Sequence, residues 1–285
     1  MKVVLFCGGY GMRMREDSNS LPKPMMMIGD RPLLWTVMRY YAHFGHTEFI
    51  LCLGYGAQHV KDFFLRYEET WSNDFVMRNG GEDIELLSND ITDWTITFVD
   101  TGLETAIGER LRRVRAHLGD DELFLANYAD VLTNAPLDLM VDNLARSTAL
   151  VSLLAVPPQA IFHVVETADD DRISTIVSLA DLPIRQNGGY FVMRREIFDV
   201  LDEGDDLVAD TLTRLLRTGQ VLAYPWDGFW KAADTVKERH ELDTMHRRGQ
   251  RPWALWERDP TRPTPRRPLK AAPESTPDPH RVAGS

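Results

Sequence analysis

Cysteine is scarce in this chain, with Cys7 and Cys52 the only two among 285 residues. Both lie in apolar, strand-like runs, so they are expected as buried free thiols, and two thiols cannot make a zinc site unaided. An excess of positive charge is missing as well. The formal net charge is −11, which opposes broad binding to nucleic acid or to an anionic membrane, because such surfaces are built from Lys and Arg in excess. An anionic substrate must therefore be drawn by local positive charge. No apolar run approaches the length of a membrane span, and the short run after Lys2 ends at glycines instead of continuing as a secretory leader. A cytoplasmic protein without nucleic-acid or membrane partners is expected. Internal repeats are absent too. From Glu257 onward apolar residues almost disappear in favour of Pro, Arg, Ser and Thr, so residues 257–285 are expected to be a disordered tail.

What remains is rich enough in apolar residues, at 44% of the whole chain, to bury one large core. The most informative stretch is VVLFCGGYGMRMREDSNSLPKPM, Val3 to Met25. An apolar run breaks into Gly8-Gly9-Tyr10-Gly11, followed by Arg13 and, after a polar loop, Pro22-Lys23-Pro24. This reads as a strand feeding a phosphate loop. Glycines bring backbone N–H groups close to an anion where a Cβ would collide. Arg13 and Lys23 add a planar fork of donors and a compact point charge, a pairing suited to polyphosphate. The dinucleotide fingerprint would need glycine where Met14 stands, and a Walker loop would need Lys directly after its last glycine. An ordinary turn at a strand end, with Lys23 as a solvated charge, is the competing reading of the same residues.

Further along, strand-like and helical patterns alternate. Leu33, Leu34, Val37, Met38, Tyr41 and Phe44 recur at helical spacing just past Pro32, residues 47–53 read as a strand, and residues 56–67 as a second helix. This is the pattern of a parallel sheet with crossover helices. Residues 68–94 break the rhythm and read as a hairpin insertion, with Asn79-Gly80-Gly81 as its turn. Strands are expected at 95–99, 123–127, 149–155, 187–193 and 221–224, and helices from Ile107 through Leu118, at 206–218 and after Asp234. The acidic cluster Glu166, Asp169, Asp170 and Asp171 reads as a solvated turn. Asp130, at the end of a strand, sits where open α/β sheets bind ligands, although an aspartate there also caps helices and forms turns. Asp234 could likewise be a helix N-cap.

The order of motifs resembles that of the sugar-phosphate nucleotidyltransferases, whose pattern is roughly GGxGTRL, then PKPM, then a glycine and a Pro-Leu or Pro-Ile helix start. Here GGYGMRM is followed by PKPMMMIGDRPLLW. Within that family the likeness is greatest to the glucose-1-phosphate cytidylyltransferases. It extends through Cys52-Leu53-Gly54-Tyr55, Val99-Asp100-Thr101-Gly102, Tyr128-Ala129-Asp130, Asn187-Gly188-Gly189-Tyr190-Phe191 and Phe229-Trp230 to Asp234-Thr235, and so covers most of the chain to about Trp256. The resemblance implies one nucleotidyltransferase domain, residues 1–256, with a Rossmann-like three-layer α/β fold and a mixed, mainly parallel sheet. It also implies transfer of a nucleoside monophosphate, CMP from CTP, to a phosphorylated acceptor such as glucose-1-phosphate, with release of pyrophosphate.

By the same resemblance Arg13 and Lys23 are the catalytic cations, and Asp130 and Asp234 are the Mg²⁺ ligands. Phe6, Gly8, Gly9, Tyr10, Gly11, Met12, Glu109, Arg110 and Tyr128 would surround the nucleotide, Arg110 near the triphosphate. A homo-oligomer is expected. Several departures from the family pattern stand out. Met12 replaces Thr or Ser, Leu21 replaces a lysine, and around the base pocket Glu104, Ile107 and Glu109 replace small or polar residues. A non-catalytic nucleotide-binding subunit is therefore a second reading, opposed by retention of Arg13, Lys23, Asp130 and Asp234 together. The Glu-Lys-Pro motif that grips the sugar is absent, its place being taken by Ile173 to Ala180, and Phe162-His163 stands where the family has Phe-Gly. A third reading is thus a cytidylyltransferase for another phosphate, phosphonate or phosphoramidate-type acceptor, contacted by His163, Arg185 and Asn187.

Overall fold

A computed structural model describes residues 1–9, 21–159 and 162–257. These residues fall into two compact units. One is built from Met1–Arg66 and the described residues from Asp93 onward, the other from Tyr67–Thr92.

The larger unit is organised on a seven-stranded sheet: β1 (Val3–Phe6), β2 (Glu48–Leu53), β3 (Thr95–Asp100), β4 (Leu123–Asn127), β5 (Val151–Val156), β6 (Gln186–Arg194) and β7 (Val221–Pro225). Their spatial order is β7-β5-β6-β4-β1-β2-β3. Every pairing is parallel except those of β6, which runs antiparallel to both β5 and β4. The sheet is mixed and mainly parallel, as the family resemblance implies; the alternation of strand and helix patterns predicts its parallel part and not the antiparallel β6. The central strands are buried on both faces, which is why they read as unbroken apolar runs. Val3, Leu5 and Cys7 point to one core with Phe49, Leu51 and Leu53, while Val4 and Phe6 point to the other with Ile50 and Cys52. The two cysteines are buried free thiols on opposite faces.

Helices cover each face, completing three layers. The first core receives α1 (Leu33–His43), α2 (Ala57–Leu65), α4 (Leu137–Ala145) and α6 (Val236–Arg247) through Leu34, Val37, Val60, Met140 and Leu242. The second receives α3 (Ile107–Arg113) and the segment that ends in α5 (Thr213–Leu216), through Leu111, Leu207, Leu212 and Leu215. That segment differs from the single α-helix expected over 206–218. Leu207–Leu212 is a π-helix capped by the Asp206 carboxylate, which accepts from the Val208 and Ala209 N–H groups, and only then does the chain tighten into α5. Among the described residues no helix is long and apolar enough to cross a membrane.

Two short pairings escape a reading by periodicity. His163–Thr167 and Ile173–Ser178 form an antiparallel hairpin between β5 and β6, with the acidic residues 169–171 at its tip. Val131–Thr133 pairs with Trp230–Ala232, a contact between segments far apart in the chain. The smaller unit has its own hairpin, Phe75–Arg78 against Asp83–Leu86, joined through Asn79–Gly81. Its hub is the Glu69 carboxylate, which accepts from Asn73 Nδ2, the Asp90 and Ile91 N–H groups and Thr92 Oγ1. The expected tail, apart from Glu257, lies outside the described residues.

Candidate active site

Asp130 is presented by a strained turn at the carboxyl end of β4. Asn127, fully buried, accepts the Ala129 N–H through Oδ1 at 2.6 Å, and Ala129 takes a left-handed conformation, φ +62°, unusual for a residue with a Cβ. The chain then enters Val131–Thr133. Because Ala232 pairs with Val131 and the Ala233 N–H donates to the Asp130 carbonyl at 2.9 Å, Asp234 is delivered beside Asp130. The Asp234 side chain is not the helix cap, although its N–H donates to the Glu238 carboxylate at 3.0 Å. The N-cap of α6 is Thr235, whose side chain accepts from the Glu238 N–H while the Glu238 carboxylate accepts the Thr235 N–H, a complete capping box.

Lys23 reaches these two carboxylates from the other end of the sequence. It opens the 3₁₀ turn Lys23–Met25 behind Pro22, and Pro22 packs over Gly56, where a Cβ would lie 2.6 Å from Pro22 Cγ. Its Nζ lies 2.6 Å from Asp234 Oδ1 and 3.8 Å from Asp130 Oδ2. Burial, reinforced by the nearby Asp234 carboxylate and opposed by the Lys23 ammonium, pushes Asp130 up to about 7. One ammonium thus stands against two carboxylates, one of them recessed. Such a pair of hard oxygen donors fits a divalent cation that keeps waters and phosphate oxygens as its other ligands.

The cluster opens onto a cleft of about 470 Å³, within the range of roughly 300–1,000 Å³ usual for small-molecule sites. Lys23 and Asp130 line it together with Phe6, Cys7, Gly8 and Gly9 from the end of β1, Leu103 to Ile107 and Arg110 from the β3–α3 region, Tyr128, and Asp206. Burial raises the Cys7 thiol far above its ordinary value, so it lines the wall as a neutral group rather than a nucleophile. Glu104 and Ile107, expected around the base, do line the cleft, whereas Leu103, Thr105, Ala106 and Asp206 are lining residues that the sequence reading missed. The Asp206 signal is its capping position before an apolar run, but capping alone does not place a residue beside a distant glycine loop.

Arg110 is almost fully buried in the floor of the cleft, and its donors are directed at protein atoms. Nε donates to Thr105 O, Nη1 to Leu53 O and Thr101 Oγ1, and Nη2 to Gly8 O and Leu103 O, at 2.7–3.2 Å. Glu109, expected at the nucleotide, does not line the cleft. Its buried carboxylate is bound by Arg112 and Arg113 and accepts the Gly204 N–H. Those bonds hold it down to about 2. At i+3 and i+4 on one helix the two arginines are its nearest partners, and this local pairing turns the carboxylate away from the ligand space.

The acceptor candidates separate. Asn187 donates from Nδ2 to the Tyr128 hydroxyl at 3.0 Å and accepts the Gly189 N–H, and so touches the cleft through Tyr128. Arg185 is engaged with Asp227 and with the Ala155 and Trp226 carbonyls. His163 is exposed at the base of the hairpin between β5 and β6. Neither of these two lines the cleft. Tyr10, Gly11, Met12 and Arg13 lie outside the described residues.

A mainly parallel α/β sheet at whose carboxyl end Gly8 and Gly9, Lys23 and two convergent carboxylates gather is suited to handling phosphate groups. The chain belongs to the nucleotidyl transferase family, whose sequence signature matches residues 2–238. It is 34% identical over 259 residues to the probable glucose-1-phosphate cytidylyltransferase of Bacillus subtilis, covering 90% of this chain and all of that protein. It is 31% identical over 262 residues, with the same coverage, to the glucose-1-phosphate cytidylyltransferase of Salmonella typhimurium. Among solved structures, the UDP-glucose pyrophosphorylase of Acinetobacter baumanii superimposes with a TM-score of 0.65 at 18% identity, over 90% of this chain and 96% of that one. HddC from Yersinia pseudotuberculosis does so with a TM-score of 0.63 at 16% identity, over 86% and 99%. These two share the fold.

Proposed function

We propose that this nucleotidyltransferase transfers CMP from CTP to glucose-1-phosphate, giving CDP-glucose and pyrophosphate. The observation that carries the reading is the Lys23–Asp130–Asp234 cluster at the mouth of a cleft floored by Gly8 and Gly9. Relatives at 31–34% identity over nine-tenths of the chain bear the name glucose-1-phosphate cytidylyltransferase, which supports the choice of base and acceptor.

The chemistry asks little covalent work of the protein. An oxygen of the acceptor phosphate attacks the α-phosphorus of the triphosphate, the bond to the β-phosphate oxygen breaks, and pyrophosphate departs with its electron pair. The attacking group is already ionised, so no general base is needed. The task is alignment and neutralisation of charge on the attacking, central and leaving oxygens. Gly9, whose Cβ position is open, would admit the triphosphate to the backbone N–H groups at the end of β1. Lys23 would exchange its carboxylate partners for the reacting phosphates, and Arg13 would face the departing pyrophosphate. Asp130 and Asp234 would hold Mg²⁺, which when bound neutralises phosphate charge. Asn187, tied to Tyr128, is the acceptor candidate best placed to serve this cleft.

A pyrophosphate-release screen of the four nucleoside triphosphates with Mg²⁺ tests the reading, run against glucose-1-phosphate and a panel of other sugar phosphates and phosphonates. CTP with glucose-1-phosphate is expected to give the highest kcat/KM. A tenfold preference for another base, or for another acceptor, would replace the corresponding part of the proposal.

A further inference from the structure

We propose that Arg110 is a positioning residue that builds the floor of this cleft, and that it is not a ligand of the triphosphate. The inference rests on reading the cleft as the nucleotide site. A guanidinium has five N–H donors and no acceptor. In Arg110 each of the five has an acceptor within the protein: Thr105 O at 2.9 Å, Leu53 O at 3.2 Å, Thr101 Oγ1 at 2.7 Å, Gly8 O at 3.1 Å and Leu103 O at 3.1 Å. None is left to donate to a phosphate oxygen. Thr101 is oriented for its part, because its own hydroxyl proton goes to Leu53 O at 2.8 Å, which leaves its lone pairs toward Nη1.

The acceptors are not scattered. They lie just beyond β1 (Gly8), at the end of β2 (Leu53) and beyond β3 (Thr101, Leu103, Thr105), so one planar group fixes three neighbouring strand ends relative to one another. Two glycines make room for it. A Cβ on Gly8 would lie 2.8 Å from Arg110 Cζ and would also strike Nη1, and a Cβ on Gly54 would lie 2.6 Å from Gly102 O, 2.8 Å from Gly8 O and 3.0 Å from Nη1. Gly9, by contrast, has no atom of the described residues within 4 Å of its Cβ position. The bare backbone at Gly8 therefore serves the guanidinium, that at Gly54 lets the three strand ends meet around it, and the bare backbone at Gly9 is left for the ligand. Among the described residues no carboxylate pairs with Arg110. Its charge, held by carbonyl dipoles and always protonated, adds a fixed positive field beneath the phosphate site without a contact.

Backbone exchange separates the two roles before any ligand is added. Two amides report on the clamp, since the Tyr55 N–H donates to Gly8 O and the Thr101 N–H to Leu53 O. In full-length, ligand-free Arg110→Lys, which keeps the charge but has three donors in a different geometry, amide hydrogen exchange across 53–56 and 101–105 is expected to rise about tenfold. Exchange in β4 should stay unchanged. With CTP and Mg²⁺, kcat is expected to fall at least tenfold while KM for the nucleotide moves less than threefold. A direct triphosphate ligand would give the opposite pattern, with exchange unchanged in the free protein and a large rise in KM, and that result overturns the proposal. Should Arg110→Lys fail to fold, Thr101→Val removes a single acceptor and is read by the same exchange. If the wild-type protein turns over no nucleoside triphosphate, the functional reading fails, while the exchange experiment still decides the clamp.

Discussion

Replacing Glu109 by Gln asks whether a charged residue next to the cleft serves the ligand or the scaffold. The Glu109 carboxylate accepts from Arg112 at 2.6 and 3.0 Å, from Arg113 at 2.9 Å and from the Gly204 N–H at 3.3 Å, with its side chain 6% exposed. It lies at about 2 against an ordinary 4.5, which by linkage corresponds to at most about 3.5 kcal/mol. The arginines are 40% and 47% exposed, so screening lowers the useful figure to about 1.5–3 kcal/mol. A carboxylate held below its unfolded value contributes stability that is full above about pH 4.5 and lost as the pH falls toward 2. Glu109→Gln should therefore lower Tm by about 3–10 °C at pH 7. In denaturant titrations the gap to wild type should close between pH 4.5 and 2, with KM for CTP within a factor of about two of wild type. An unchanged Tm with a raised KM would return Glu109 to the nucleotide site and refute the structural role.

Lys23→Ala should leave the fold intact and lower kcat on the order of a hundred- to a thousandfold, the usual loss for one preorganised cation facing developing charge; steady-state kinetics near wild type would remove it from the site. Asp234→Asn should raise the Mg²⁺ concentration needed for half-maximal rate without lowering Tm, because the cap of α6 is Thr235. Thr235→Ala should do the reverse, costing about 1 kcal/mol with no change in the Mg²⁺ requirement. Gly8→Ala should destabilise by about 1–3 kcal/mol through overpacking against the guanidinium, whereas Gly9→Ala should melt within about 1 °C of wild type, its Cβ meeting nothing; equal effects at the two glycines would contradict the different surroundings described for them.

The alternation of buried runs and amphipathic stripes was enough to place the core strands and α1, because both faces of the sheet are covered and each strand reads as unbroken apolar sequence. Pairings made by very short or exposed segments were not legible. Val131–Thr133 and Trp230–Ala232 are three residues each, too short for a period, yet their pairing is what brings Asp130 and Asp234 together. The hairpin at 163–178 is exposed along its first strand and only partly covered along its second, so no buried face imposes the alternation by which strands are recognised. Lys23, Asp130 and Asp234 were named through motif order and converge in the fold. Arg110 and Glu109 are placed at the nucleotide by the family resemblance, but donors and carboxylates find protein partners according to three-dimensional neighbours. Glu109 is bound by arginines on its own helix, and Arg110 by carbonyls from three separate strand ends.

The most direct test of the central claim follows the phosphorus atoms. Phosphorus NMR of the protein with Mg²⁺, CTP and glucose-1-phosphate should show the nucleotide α-phosphorus moving into a new diphosphodiester, with free pyrophosphate appearing in equal amount and no resonance from a protein-bound nucleotide. Accumulation of CMP, release of orthophosphate from the γ-position, or a covalent nucleotide on the protein would contradict direct transfer between two bound phosphates.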